Sequence, residues 1–420
     1  MFFNFETCVH EILNECINNF DNNLVSCMLF VDFKKAFDMV DHKLLLHKLL
    51  SYGFGNEAYN LLKNYFINRG QITKIGSVNS TFDELNLGVP QGSVLGPLLF
   101  SIFINDLPIQ FMKSAVKLFA DDTTIVINGF DLEIVLNQLK LDIKILDEWC
   151  KHNKLYVNWS KTFIMFYSNK RIAWPSCFEY QHAKIDVVST FKLLGILLDN
   201  KLTFINHVNS ISSSINKKLY SIKKLFYLSF DVKLQFFKCF ILPYFDYCIS
   251  LSIYFHKTAI RKLCKIYYIC LFKLFKLKFY NQTTTDINNS LKCFGLFSFH
   301  TRVVYRITSF LYHIVFSINS PTILKSKLKI ITEQNHEYNV RVKNVGKFEV
   351  IRSRTKVGDL KFNFIFSKYL NSISFFLLEK ETDFKKFKSF LNLNISNFVA
   401  SFIKLLPKFN VDLNSFFFNN

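Results

Sequence analysis

The chain has 420 residues, of which 50% are hydrophobic and 20% are charged, and its formal net charge is +20. This length predicts two or three domains, and the apolar content argues against an intrinsically disordered protein. Phe, Asn, Lys and Ile are abundant. All four have codons made only of A and T, so an AT-rich genome explains part of the composition.

Charge is divided unevenly along the chain. Residues 1–200 hold 18 Lys and Arg against 21 Asp and Glu, a net charge of −3, whereas residues 201–420 hold 34 against 11, a net charge of +23. A uniform codon bias does not produce this division. The second half therefore predicts a surface for a polyanion, with nucleic acid as the first candidate and an acidic membrane surface as the second.

The ten cysteines show no Cys-x-x-Cys pair and no zinc-like spacing with histidine, so we predict buried, reduced thiols of an intracellular protein. The first residues lack the basic region and cleavage site of a signal peptide. The most apolar long segment, 239–255, contains Pro243 and Asp246. It predicts a buried helix pair with a proline break, and no membrane partner.

Hydrophobic periodicity predicts the elements of the first half. A helix over 5–20 precedes a strand over 25–33, and a second helix over 41–50 begins at the capping residue Asp41. A third helix is predicted over 56–67.

The next segment is expected to be more irregular before a long helix. Residues 71–78 alternate as an exposed strand would, and 88–108 read as a glycine- and proline-rich loop that leads into an apolar helix. An amphipathic helix is predicted over 131–153, and strands over 155–167 and 185–198.

Beyond residue 205 the pattern changes to helices rich in lysine, predicted over 211–226 and 259–279. The second of these alternates cations with Tyr and Phe. Such a face can neutralise phosphates while its rings stack on bases, or its rings can pack in a core while the lysines reach solvent. The residues alone leave both interpretations open. From 320 onward the chain is basic and rich in Phe without a recognisable motif.

Three aspartates lie between or inside apolar, β-prone runs. Asp121 and Asp122 lie at the centre of 117–126, which predicts a tight hairpin with both at its tip, and Asp32 lies inside the run 29–33. Adjacent aspartates often mark a solvated turn. Carboxylates at strand edges can also hold two Mg²⁺ ions for nucleotidyl transfer, and this pattern favours that site.

Five ordered motifs closely resemble the reverse transcriptase of non-LTR retrotransposons of the LINE/jockey type. The resemblance covers about 5–250 and fades after about 300. The motifs occupy residues 30–38, 88–97, 119–122, 149–162 and 191–207.

The resemblance implies an α+β fold: a right-hand polymerase palm with partial fingers, followed by a helical thumb and a helical, basic C-terminal region. The implied boundaries are 1–204 for the palm with its fingers remnant, 205–300 for the thumb or connection, and 301–420 for the C-terminal region.

It also implies residue roles. Asp32 and Asp121 would ligate two Mg²⁺ or Mn²⁺ ions with Asp122 as the supporting carboxylate, and Lys161 would protonate the pyrophosphate leaving group.

The implied substrate-binding residues are Phe33, Phe37, Gln91 and Gly92. Phe37 would block a ribose 2′-OH and so favour dNTPs, although it could equally be a core ring beside Ala36. Gln91 and Gly92 would contact the incoming nucleotide and template.

The implied activity is RNA-directed DNA synthesis, with an RNA template, a DNA primer or target and dNTPs as partners, and a nuclear location. The family's endonuclease, upstream fingers and zinc knuckle have no counterpart here, which suggests a 5′-truncated copy. A catalytically inactive nucleic-acid-binding remnant is the alternative. A group II intron-type enzyme is a third interpretation, which the pattern over 191–207 disfavours.

Overall fold

A computed structural model describes residues 5–223, 227–277, 284–317, 320–331, 347–373 and 384–411. The chain divides into two compact units. Residues 23–189 form one, which we call the sheet unit, and residues 1–22 together with 190–420 form the other, the helical unit.

The sheet unit is built on a six-stranded sheet whose central strand is β1 (Val25–Val31). All seven residues of β1 are buried. It pairs antiparallel with β7 (Asp122–Gly129) on one side and β8 (Phe163–Tyr167) on the other. The spatial order is β6-β7-β1-β8-β10-β9, where β6 is Ala115–Phe119, β9 is Cys177–Tyr180 and β10 is Ala183–Val187.

Helices of the sheet unit bury apolar side chains against this sheet. The alternate residues Val25, Cys27, Leu29 and Val31 belong to the core, as the period of two in a strand requires. The helix over Leu132–His152 supplies Val135, Leu139, Ile143 and Leu146 to the same core. The four helices are α2 (His42–Ser51), α3 (Asn56–Phe66), α4 (Leu95–Ile104) and α5 (Leu132–His152).

Two sequence predictions for the sheet unit were partly wrong. The expected strand over 71–78 is instead divided among three two-residue strands, β2 (Gly70–Gln71), β3 (Lys74–Ile75) and β4 (Val78–Asn79); β3 pairs with β4, and β2 pairs with β5 (Asp83–Glu84). Gly76 has φ +62°, which makes a turn where the strand was predicted. Residues 155–162 precede β8 as a bridge and a 3₁₀ turn, so only the end of the predicted strand 155–167 is β-structure.

The helical unit joins the first helix to the second half of the chain. It contains a hairpin of β11 (Thr190–Leu193) and β12 (Ile196–Asp199), so the strand predicted over 185–198 is broken into three pieces. The hairpin turns at Leu194 and Gly195, both with positive φ. The helices are α1 (Phe5–Asp21), α6 (Ile205–Lys223), α7 (Phe230–Phe236), α8 (Pro243–Asp246), α9 (Lys257–Phe275), α10 (Thr284–Lys292), α11 (Phe299–Phe316), α12 (Thr322–Lys327), α13 (Phe362–Ser372) and α14 (Phe384–Leu405).

Helix α1 is buried on its polar as well as its apolar side. The ring of His10 bonds the Ser250 hydroxyl at 2.6 Å, and the Asn14 side-chain oxygen accepts the Phe362 N–H at 2.9 Å. At the end of the helix, the Asp21 carboxylate accepts the Lys361 ammonium at 2.7 Å. Each partner lies more than 200 residues further along the chain, so α1 is an internal support of the helical unit.

Helix α9 decides between the two interpretations of its mixed face. Tyr267 and Tyr268 are buried, and so are the apolar residues on the same side of the helix. The cations Lys257, Lys262 and Lys265 are exposed. Tyr267 and Tyr268 therefore pack in the core, whereas Phe272 is exposed and the lysines face solvent. The ends of the predicted helices 211–226 and 259–279 lie outside the described residues.

The cysteine prediction was correct for seven of the ten residues. All ten are free thiols, but Cys239 and Cys293 are exposed and Cys177 is half-buried. Segment 239–255 is neither a membrane span nor a simple helix pair: it contains α8, preceded by a π-helical turn and followed by a 3₁₀ segment. Within the described ranges, no helix is both long and apolar enough to cross a membrane.

Candidate active site

The hairpin predicted around the paired aspartates is confirmed. Strands β6 and β7 pair antiparallel from Ala115 with Val126 to Phe119 with Asp122, which leaves Ala120 and Asp121 in the turn. Ala120 has φ +51°, so the turn is tight. Asp121 and Asp122 are exposed, whereas the strand directly behind them is buried. The hairpin thus presents two carboxylates at a supported edge of the sheet.

Strand register brings Asp32 to the same edge. The last pair between β1 and β7 is Val31 with Thr123, so Asp32 follows at the level of Asp122. Its Oδ2 atom accepts the side-chain N–H of Asn158 at 2.8 Å, and its carbonyl accepts the backbone N–H of the same residue at 2.7 Å. Asn158 therefore fixes Asp32 through both its side chain and its backbone.

The three carboxylates interact electrostatically. Partial burial, with the negative charges of Asp121 and Asp32, raises the pKa of Asp122 above its ordinary value. Among the residues that the structure describes, however, no group of three or more His, Cys, Asp or Glu side chains is arranged to hold a metal ion. The structure thus shows a concentration of negative charge that a cation would relieve, and metal ligation by these residues stays a prediction.

One cavity brings together all four residues predicted to bind substrate. It measures about 470 Å³, and we call it the Gln91 cavity. Phe33, Phe37, Gln91 and Gly92 line it together with Asp121. Residues from three separate motifs therefore meet beside one of the carboxylates.

The glycine-rich loop is held against the segment that follows β1. Gly88 has φ +87°, and a Cβ atom there would lie 2.8 Å from the Asp38 carbonyl oxygen. The Gln91 amide donates to the Asp38 carboxylate at 3.0 Å. Gly92 has φ +80° but faces open space. The loop needs glycine at position 88 for close approach and at position 92 for backbone conformation alone.

Phe37 packs against the core and also lines the Gln91 cavity, and its role against a ribose 2′-OH stays a prediction. Its ring stacks on the buried ring of Phe100, with 4.5 Å between centroids and 26° between planes. The remaining part of the half-buried ring lines the Gln91 cavity. The core contact fixes the orientation of a ring that a ligand in the cavity would touch.

A second cavity, of about 550 Å³, contains two further predicted residues, Asp32 and Lys161, and is called here the Lys161 cavity. Asp32, Phe33, Asn158 and Lys161 line it. Lys161 is exposed in the 3₁₀ turn Trp159–Lys161. Phe33 lines both cavities and is itself buried, so the two cavities adjoin at this residue.

Sequence reasoning assigned no role to several residues of this site. Asn158 and Asp38 position Asp32 and Gln91, and Lys34, Lys35 and Tyr156 line the cavities. Asn158 lies inside the motif at 149–162, three positions before Lys161. Its place in that motif was the available signal, although the spacing alone did not show which carboxylate it bonds.

Comparison with known proteins defines the class. Residues 4–198 match the family described as "Reverse transcriptase (RNA-dependent DNA polymerase)". This segment includes all eight predicted site residues. Residues 4–198 therefore match a reverse transcriptase domain, and the chain is similar to the RNA-directed DNA polymerases of non-LTR retrotransposons, as the sequence resemblance predicted.

Curated relatives include polymerases from mobile elements of fruit flies. The chain is 29% identical over 225 residues to "Probable RNA-directed DNA polymerase from transposon BS" of Drosophila melanogaster, which covers 52% of the chain and 25% of the relative. It is 25% identical over 295 residues to "RNA-directed DNA polymerase from mobile element jockey" of Drosophila funebris. This alignment covers 68% of the chain and 32% of the relative. The chain thus spans about a quarter to a third of the length of these relatives.

Solved structures that match part of this chain include telomerases. Apo telomerase from Candida Tropicalis matches with a TM-score of 0.35 at 12% identity, covering 75% of this chain and 56% of that one. Telomerase from Candida albicans in complex with a telomeric RNA fragment matches with a TM-score of 0.35 at 10% identity. This match covers 71% of this chain and 48% of the telomerase chain.

Proposed function

We propose that this chain is an RNA-directed DNA polymerase that adds dNTPs to a primer 3′-OH. The observation that carries the proposal is the meeting of three carboxylates with two cavities at one edge of the sheet. Asp121 lines one cavity and Asp32 the other. A nucleotide on one side and a primer terminus on the other would then both lie against the acidic edge.

The acidic edge suits a hard divalent cation. Carboxylate oxygens are the ligands that Mg²⁺ prefers, and reverse transcriptases generally use divalent metal ions. Asp32, Asp121 and Asp122 would hold two Mg²⁺ or Mn²⁺ ions. When bound, such ions favour deprotonation of the attacking hydroxyl and stabilise negative charge on the leaving oxygen. Asn158 keeps Asp32 oriented for this role.

The Gln91 cavity would bind the incoming nucleotide. Phe37 would lie against the sugar and exclude a 2′-OH, so dNTPs would be preferred over NTPs. Gln91 and Gly92 would contact the nucleotide and template, with Phe33 between the two cavities. Lys161, exposed beside Asp32, would donate a proton to the pyrophosphate leaving group.

The proposal extends to architecture and partners. The sheet unit would form the palm with part of the fingers, and helices beyond it the thumb, with the boundaries 1–204, 205–300 and 301–420 as a working division. The net charge of +23 over 201–420 supports a grip on the backbones of an RNA template and a DNA primer. A nuclear location would follow if the target is chromosomal DNA.

Primer extension tests the proposal directly. The full chain would be given a DNA primer on an RNA template with Mg²⁺ or Mn²⁺, beside an Asp121→Asn variant. Asp83→Asn is the matched control, since Asp83 is exposed and lines neither cavity. Extension by the parent and by Asp83→Asn, but not by Asp121→Asn, is expected. Equal extension by all three proteins would contradict the assignment.

A second candidate is a nucleic-acid-binding protein without catalysis. It is favoured by the exposed cations of α9 and by the absence, in the described part of the chain, of a side-chain group arranged for a metal. Salt-sensitive binding of primer-template by both the parent and Asp121→Asn, with no extension by either, would select this candidate over the polymerase.

A further inference from the structure

A separate cavity lies within the helical unit. It measures about 820 Å³ and is lined by residues of α1, α11, α14 and the segment around α8. No residue of the Gln91 or Lys161 cavity contributes to it. Cavities of roughly 300–1,000 Å³ are typical of small-molecule sites, so this one is large enough for a small organic ligand.

Two arginines on successive turns of α11 give the cavity a charged wall. Arg302 forms two bonds of 2.5 Å to the Asp246 carboxylate, and Arg306 bonds the same carboxylate at 2.7 Å. One negative charge is therefore shared by two positive ones. The side chain of Arg302 is 12% exposed, whereas that of Arg306 is 49% exposed. Arg306 thus has room to donate to a further acceptor.

The other ionisable groups of the cavity do not cancel this excess of positive charge. Burial raises the pKa of Glu6 above its ordinary value, although the bonds from Ser250 and the charge of Arg306 partly oppose that rise. The Ser250 hydroxyl lies 2.5 Å from Oε1 of Glu6, so this carboxyl is already engaged. Lys388 of α14 adds another cation to the lining. The lining as a whole favours an anion.

The cavity also contains polar atoms without a protein partner. The hydroxyl oxygens of Ser309 and Ser320 both lie at the lining, are shielded from solvent, and have no hydrogen-bond partner among the described residues. A buried hydroxyl without a partner costs free energy. A ligand that accepts from these hydroxyls would remove that cost.

Aromatic rings form the remaining wall. Tyr305 lies 5.4 Å from Phe297 between ring centroids, and Phe384 lies 4.3 Å from the ring of His313. Lys388 is placed over Phe384 at 4.5 Å from its centroid. Flat rings beside cations suit a ligand that joins a planar, aromatic group to an anionic one.

We propose that this cavity binds a mononucleotide, with its phosphate at Arg302 and Arg306, its base against the aromatic wall, and its sugar hydroxyls toward the buried serines. The site lies outside the reverse-transcription centre and would not take part in the polymerase reaction. It would let a free nucleotide stabilise the helical unit.

Equilibrium dialysis of labelled AMP against the full chain tests this inference. EDTA is included so that metal-dependent binding at the carboxylate edge does not contribute. Saturable binding is expected. Arg306→Gln should weaken it roughly tenfold or more, because a charge-assisted hydrogen bond to phosphate is lost. Arg352→Gln, at an exposed arginine of the same unit, should leave it unchanged.

A second variant and two competitors complete the test. Ser309→Leu places a larger apolar side chain at the lining and should also weaken AMP binding. Adenosine and inorganic phosphate should each compete less well than AMP, because adenosine lacks the phosphate and inorganic phosphate lacks the base and sugar. The inference is overturned if no AMP binds, if both variants bind as the parent does, or if phosphate alone competes as strongly as AMP.

Discussion

Replacement of Asp21 by Asn should destabilise the helical unit selectively. The carboxylate of Asp21, at the end of α1, accepts the backbone N–H of Thr355 at 2.7 Å, its hydroxyl at 2.8 Å and the Lys361 ammonium at 2.7 Å. Burial alone would raise the pKa of Asp21, but the bonds from Lys361, Thr355 and Arg354 outweigh it and lower the pKa to about 2.

The lowered pKa of Asp21 gives the size of the expected loss of stability. Lowering the pKa from 3.8 to about 2 corresponds to about 2 kcal/mol of folding stability from the ionised form. Asn would remove the negative charge. Its side-chain NH2 group would also face the Thr355 backbone N–H and the Lys361 ammonium, which both donate hydrogen bonds to the carboxylate of Asp21 and cannot accept one in its place. The half-buried Lys361 ammonium also loses its carboxylate partner, so we expect the free energy of unfolding of the helical unit to fall by about 3 kcal/mol.

Two spectroscopic signals separate the units in a denaturant titration. The three tryptophans, Trp149, Trp159 and Trp174, all lie in the sheet unit, whereas most helices lie in the helical unit. Asp21→Asn should lower the midpoint followed by far-ultraviolet circular dichroism and leave the tryptophan transition in place. Asp131→Ala, which removes the N-cap of α5 in the sheet unit, should instead move the tryptophan transition by about 1 kcal/mol.

The pH dependence provides the decisive control. Because the pKa of Asp21 is lowered by folding, its contribution is complete above the unfolded value of 3.8 and is lost as the pH falls toward 2. The difference between parent and variant should therefore shrink in acid. A difference that is the same at neutral pH and near pH 2, or no difference at neutral pH, would refute the reasoning.

Other predictions concern the sheet unit. Asn158→Ala should lower the single-turnover rate of primer extension by roughly 10–100-fold, because Asp32 loses a charged hydrogen bond; an unchanged rate would show that Asp32 needs no such support. Phe37→Val should raise ribonucleotide incorporation relative to deoxynucleotide incorporation, measured by competition, and an unaltered ratio would count against contact with the sugar. Gly88→Ala should destabilise the sheet unit, followed by tryptophan fluorescence, by about 2–3 kcal/mol, since its Cβ meets backbone at 2.8 Å. Gly92→Ala meets nothing within 4 Å and should cost only about 1 kcal/mol of backbone strain; equal costs for the two glycines would contradict this account.

The parts of the fold that could be predicted from sequence are those that local patterns determine. Apolar arms around Asp121 and Asp122 specify a hairpin, and the 3.6-residue period over 131–153 specifies α5, which the structure places at Leu132–His152. The segment 71–78 failed because weak alternation in exposed residues carries little burial energy, and Gly76 turns the chain instead.

Long-range pairing could not be predicted in the same way. The bond from Asn158 to Asp32 joins positions 126 residues apart, and the one from Asn14 to Phe362 joins positions 348 residues apart. Neither pair shares a local period or motif. The sequence therefore predicted α1 as a helix but did not show that its polar residues are buried in the helical unit.

The burial of α1 also affects the order in which the protein can fold during synthesis. Residues 23–189 leave the ribosome as a continuous segment and can form the sheet unit while translation proceeds. Helix α1 is made before the sheet unit, yet its partners Thr355, Lys361 and Phe362 are made more than 300 residues later. The faces that these partners cover must therefore stay exposed while the sheet unit is made, so α1 precedes the sheet unit in synthesis and follows it in burial.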